Sequence, residues 1–85
     1  MSHHSTSFTG DVFQAIRDAV RARIPDASVE VTGGGGHYSL VVTSPVFAGQ
    51  SMLESHRLVL GSIAELMKGD DAPVHAVDSL RTLTG

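Results

Sequence analysis

The stretch from Ser28 to Thr43 constrains the fold more than any other part of the chain. Ser28-Val29-Glu30-Val31-Thr32 alternates polar and apolar residues, four glycines follow, and His37-Tyr38-Ser39-Leu40-Val41-Val42-Thr43 forms a second, more apolar run. Alternation with a period of two marks a half-buried strand, and two strands this close in sequence read as a hairpin. The same period places Tyr38, Leu40 and Val42 on one face, and His37, Ser39, Val41 and Thr43 on the other. His37 opens the more polar face and is expected to be accessible.

The glycines between the strands admit three readings: a phosphate cradle, a turn, or a compliant arm that carries His37. A phosphate loop needs a following helix whose first N–H groups point at the anion, whereas Gly33 to Gly36 run into a strand with no Lys-Ser/Thr behind them. A hairpin turn uses one or two residues at positive φ. Four exceed that need, so the loop is expected to be mobile or closely approached.

The flanking segments complete the domain. From Thr9 to about Arg23, apolar Val12, Phe13, Ile16, Ala19, Val20 and Ile24 recur at helical spacing, with Thr9 as the cap and Pro25 beyond the end. Ser51 and Glu54 form a capping box that opens a second helix, whose expected inner stripe is Leu53, His56, Leu60, Ile63, Ala64 and Met67, closed by Gly69. Val74 to Leu80 reads as a third strand. A helical crossover between the second and third strands favours parallel pairing. The expectation is an α/β chain of the α+β type in the order αββαβ: a three-stranded mixed sheet with both helices on one face, a disordered leader over 1–8, and one domain over 9–85.

Composition narrows the function. There is no cysteine, so thiolate ligands must come from elsewhere, and imidazole and carboxylate are the metal ligands the chain itself can offer. Six Lys and Arg against nine Asp and Glu argue against broad, non-specific nucleic-acid binding. No apolar run is long enough to span a bilayer, and the first residues lack the pattern of a signal peptide, which leads to a cytoplasmic expectation. No H-E-x-x-H motif or serine-nucleophile context is present, so an enzyme is not expected. Taken singly, His37, His56 and His75 have bland readings as a strand-end residue, a helix residue and a solvent-facing strand residue.

Four ordered blocks change that reading. The run from His37 to Ser51, HYSLVVTSPVFAGQS, resembles the His-aromatic strand and Phe-x-Gly turn of the BolA family. Ser55-His56-Arg57 is similar to its Arg-His-Arg helix motif, with serine in the first place; Ile63-Ala64-Glu65-Leu66 resembles its Leu-x-x-Glu-Leu segment, and Val74-His75-Ala76-Val77 its Val-His-Ala-Leu strand. The resemblance runs from Val12 to Thr84 and implies a class II KH-like αββαβ domain. Relatives usually add a short terminal helix, so ending at Gly85 implies thinner cover for the third strand.

The resemblance also implies a role in iron-sulfur biology. BolA proteins pair with monothiol glutaredoxins and share a bridging 2Fe-2S cluster, with thiolates from the glutaredoxin and glutathione. His75 matches the family's histidine ligand. Several relatives place a second ligand, Cys or His, before the His-aromatic pair; glycine stands there in this chain, and His37 is the substitute it offers. The family's link to stress response and transcriptional regulation supplies the alternative, a nucleic-acid-binding regulator that uses the second helix and its preceding turn, with His56, Arg57 and Lys68 as partner or DNA contacts. Gly49-Gln50-Ser51-Met52 lacks the second glycine of a KH loop. The free protein is expected to be a monomer or weak homodimer.

Overall fold

A computed structural model describes residues 11–85 of the chain. The expected leader and Thr9 fall outside the described residues. The first helix, α1 (Val12–Arg23), is capped by Asp11, whose carboxylate accepts from the Gln14 amide at 3.3 Å. An aspartate caps as well as a threonine, and it lies two residues closer to the apolar repeat. Ile16, Val20 and Ile24 are buried along the expected face, and Phe13 meets Tyr38 edge-on with ring centroids 5.9 Å apart.

Strand β1 (Ser28–Gly34) pairs antiparallel with β2 (His37–Thr43), and β2 pairs parallel with β3 (Ala76–Leu83) in the order β1-β2-β3. The mixed sheet and its crossover therefore match the sequence-based expectation. Tyr38, Leu40 and Val42 point into the core with Ile16, Val20, Val59 and Ile63, while His37, Ser39, Val41 and Thr43 share the opposite face. The free edge of β1 is partly guarded from α1: Arg17 donates to the Val29 carbonyl at 3.4 Å and Arg21 to the Ala27 carbonyl at 3.1 Å.

The glycine run is more ordered than its composition suggests. Gly33 and Gly34 belong to β1, and only Gly35 and Gly36 form the turn, with φ of 63° and 89°. Positive φ at both central residues is the two-residue hairpin geometry that matches strand twist. Closeness accounts for part of the surplus: a Cβ on Gly33 would overlap the His37 carbonyl.

The second helix, α2 (Met52–Ser62), starts where the capping box placed it, with Ser51 N–H donating to Glu54 Oε1 at 2.8 Å and Glu54 N–H to Ser51 Oγ at 3.1 Å. Its inner stripe differs from the expected one. Ser55, Val59 and Ile63 are buried, whereas Leu53 is 59% exposed, Leu60 is 38% exposed and Ala64 is exposed. Ser55 turns inward because its hydroxyl meets Thr82 on β3 at 2.7 Å, which satisfies a polar group on the buried face. The helix also stops earlier than expected. Ser62 donates back to the Val59 carbonyl at 2.6 Å, and a 3-10 turn over Ala64–Met67 follows. Strand β3 begins two residues later than expected, because Val74 donates to the Leu66 carbonyl and is fully buried before the ladder starts.

Candidate functional site

The turn between β1 and β2 and the entry to β3 meet at one end of the sheet. His75 N–H and Ala76 N–H both donate to the Gly36 carbonyl, at 2.7 and 3.0 Å. These two bonds fix the backbone of His75 from outside the ladder, since β3 starts only at Ala76. The imidazole lies across Gly36 so closely that a Cβ there would overlap ring atom Cδ2. Gly36 is therefore glycine for two reasons: its φ of 89°, and the ring packed on it. His75 remains exposed, at the rim of a shallow cavity of about 200 Å³ that Val12, Tyr38 and Pro73 also line.

His37 sits at the same end but is held differently. Its partner in the ladder is Ala76, and its Nδ1 lies 3.2 Å from Asp78 Oδ1, with the two side chains 60% and 57% exposed. Asp78 lies at an irregularity: Tyr38 pairs with Val77 and Ser39 with Ser79, which leaves Asp78 as an extra residue without a ladder partner on β2. Such bulges re-aim side chains near the ends of strands. The structure thus brings His37 and His75 to one sheet end, each with its own contact.

The remaining candidates do not join them. His56 is half-buried in a groove of about 410 Å³ shared with Phe47, Met52, Leu80 and Arg81. Arg57 is exposed on α2. Lys68 follows the 3-10 turn and pairs with Glu65 at 2.8 Å; that hydrogen bond and the nearby carboxylate charge raise its pKa above the ordinary lysine value. A lysine already engaged by a carboxylate offers less to a phosphate.

The chain and its fold have known counterparts. The family profile described as "BolA-like protein" matches residues 5–85. The chain belongs to the BolA family. Among solved structures, a BolA homologue from Coxiella burnetii is 33% identical, with a TM-score of 0.69 over 84% of this chain and 87% of that one. BolA1 from Mus musculus is 30% identical, with a TM-score of 0.65 over 96% of this chain and 75% of its own. BolA1 from Arabidopsis thaliana shares the fold at 18% identity, with a TM-score of 0.72 over 89% and 94% of the two chains. No curated protein sequence matches the chain.

The donor set of this BolA-like domain has a defined chemistry. Among the described residues no three His, Cys, Asp or Glu side chains converge into a metal-binding group, and the chain has no cysteine. One or two neutral imidazoles cannot complete the four protein ligands of an iron-sulfur cluster, but they fit a minority share beside thiolates from another molecule. The exposed His75 ring, with its backbone already fixed, suits that share.

Two contributors escaped the sequence reading. Asp78 meets His37 across the β2–β3 pairing, beside the irregularity, and the pattern of either strand alone does not announce the contact. Arg81 lines the groove because β3 runs on to Leu83, beyond the expected end at Leu80. No period-two pattern marks the extension, because the apolar Leu80 and Leu83 are three residues apart and fall on opposite faces of a strand. Among the described residues no helix is long and apolar enough to cross a membrane.

Proposed function

We propose that this BolA-like chain is the histidine-donating partner of a monothiol glutaredoxin, the two sharing a bridging 2Fe-2S cluster for iron-sulfur trafficking or for iron and redox sensing. The observation that carries the reading is His75: an exposed imidazole on a backbone fixed by two hydrogen bonds to the carbonyl of a buried glycine. A ligand supplied in this way loses little freedom on binding, because its main chain is ordered beforehand. The glutaredoxin cysteine and glutathione supply the thiolates that this chain lacks. His75 takes one iron position and His37, at the same sheet end, is the second donor. Replacing an anionic thiolate by a neutral imidazole raises the potential of such a cluster, which suits a sensor or a relay.

In this role the chain acts by association rather than by turnover of a substrate. The domain binds the glutaredoxin, and coordination through His75 tightens the interface. The DNA-binding alternative draws less support, since Arg57 stands alone on α2 and Lys68 is engaged by Glu65. The deciding experiment mixes the chain with a cluster-loaded monothiol glutaredoxin and follows visible absorption and circular dichroism. Formation of the mixed complex changes the visible dichroism, and His75→Ala removes that change. An unaltered spectrum in the His75→Ala complex would refute the ligand assignment.

A further inference from the structure

We propose that Asp78 is a positioning residue for His37: its carboxylate holds the ring at Nδ1 and leaves Nε2 as the free donor atom. The inference rests on the reading of His37 as the second cluster ligand and goes beyond it to the group that aims that ligand. A neutral imidazole carries one N–H and one lone pair, and which nitrogen carries which is set by the hydrogen bond that one of them makes. Asp78 Oδ1 lies 3.2 Å from Nδ1. An ionised carboxylate only accepts, so Nδ1 carries the proton and Nε2 keeps its lone pair.

The backbone supports the same assignment. Ala76 is the ladder partner of His37, and Asp78 lies two residues further along β3, at an irregularity where Ser39 pairs with Ser79 and Asp78 has no ladder partner opposite it. His37 is the first residue of β2, paired with Gly34 on one side and Ala76 on the other, and Asp78 is the side chain that hydrogen-bonds its ring. With both side chains more than half exposed, a docked partner has access to Nε2. Carboxylate–histidine pairs of this kind orient metal ligands and strengthen them as donors.

Nitrogen-15 NMR of the histidine rings in the isolated chain, above about pH 8 where unperturbed imidazoles are neutral, tests the contact without any cluster. In the unaltered protein His37 is mainly the Nδ1–H tautomer. In Asp78→Ala it reverts to mainly Nε2–H, the usual preference of an unrestrained imidazole, and Asp78→Asn, which retains an acceptor oxygen, keeps part of the Nδ1–H population. An unaltered His37 that is already mainly Nε2–H, or one that Asp78→Ala does not move, overturns the proposal. A second arm uses the complex with cluster-loaded glutaredoxin: Asp78→Ala weakens cluster retention about tenfold, the low end of the usual effect of losing such a partner, and has no added effect in a His37→Ala background. If His75→Ala disrupts the complex while Asp78→Ala leaves retention unchanged, positioning is refuted and the cluster reading stands. If His37→Ala leaves spectrum and retention unchanged, His37 is no ligand, and the proposal fails with that part of the reading even where the tautomer shift is seen.

Discussion

The two ends of the β2–β3 pair are built on opposite plans. At the His37 end, position is set by main chain: the Gly36 carbonyl takes the amides of His75 and Ala76, and both imidazoles stay exposed. At the Thr43 end, it is set by polar side chains that are themselves buried. Ser44, fully buried, donates its hydroxyl to Asp26 at 2.8 Å and accepts from the Val46 amide at 3.2 Å, while its own amide donates to the Leu83 carbonyl at 2.9 Å. Ser55, 3% exposed, meets Thr82 close by. Side chains that are buried and spent on internal hydrogen bonds are not available to a partner. The difference teaches that the glycine end gives the placing of His75 to backbone atoms and keeps its one side-chain pair, His37 with Asp78, at the surface.

The largest expected effect lies at the hinge of that plan. Gly36→Ala puts a β-carbon into the His75 ring and forces a non-glycine residue to a φ of 89°. The backbone strain and the displacement of the ring together cost about 2–3 kcal/mol, read as a lower midpoint in chemical denaturation. The His75 resonances should shift in the same variant, since the ring has to leave. A stability within about 0.5 kcal/mol of the parent would show that this end tolerates a side chain and that the glycine is not there for His75.

A smaller effect is expected at the other end. Ser44→Ala removes a donor to Asp26 and an acceptor for Val46, at a cost of about 1–2 kcal/mol by the same denaturation measurement. The cost stays at that level because Asp26 is exposed and water can replace the lost donor. Spectra of the complex with cluster-loaded glutaredoxin should be unchanged, because the site is at the opposite end of the sheet. A changed spectrum would mean that the two ends are coupled.

Much of this plan was legible in the sequence, and the illegible parts have physical causes. The period of two in β1 and β2, the S-x-x-E box and the crossover before β3 carried the topology, because each depends on local pattern alone. The inner stripe of α2 does not follow apolar character, because Ser55 is buried for a reason 27 residues away, the hydroxyl of Thr82. Leu53 and Leu60 fit an inward face by composition, but the helix rotates them outward. His75 and His37 stood out through family resemblance and strand period. Asp78 stayed hidden because its contact with His37 is a property of the pairing between two strands, and neither strand encodes it alone.

The smallest effect is the sharpest test of what the glycine run is for. Gly34 is the last β1 residue in the ladder, paired with His37, and a Cβ there meets no atom within 4 Å. Its φ lies outside the positive region that marks Gly33, Gly35 and Gly36. Gly34→Ala therefore loses nothing in the folded state and narrows the unfolded ensemble, so it should raise stability by up to about 1 kcal/mol. Two positions further on, the same substitution should cost about 2–3 kcal/mol. A run that served only as a compliant arm would respond alike at both positions, and each alanine would stiffen it. Opposite signs at Gly34 and Gly36 would mean that the run is a fitted turn: Gly36 holds the backbone of His75 by its carbonyl and makes room for the ring by having no side chain, whereas Gly34 is glycine without structural need. A loss of more than about 1 kcal/mol in Gly34→Ala would break the comparison, since the glycine end would then depend on freedom of the chain and not on the Gly36 contact.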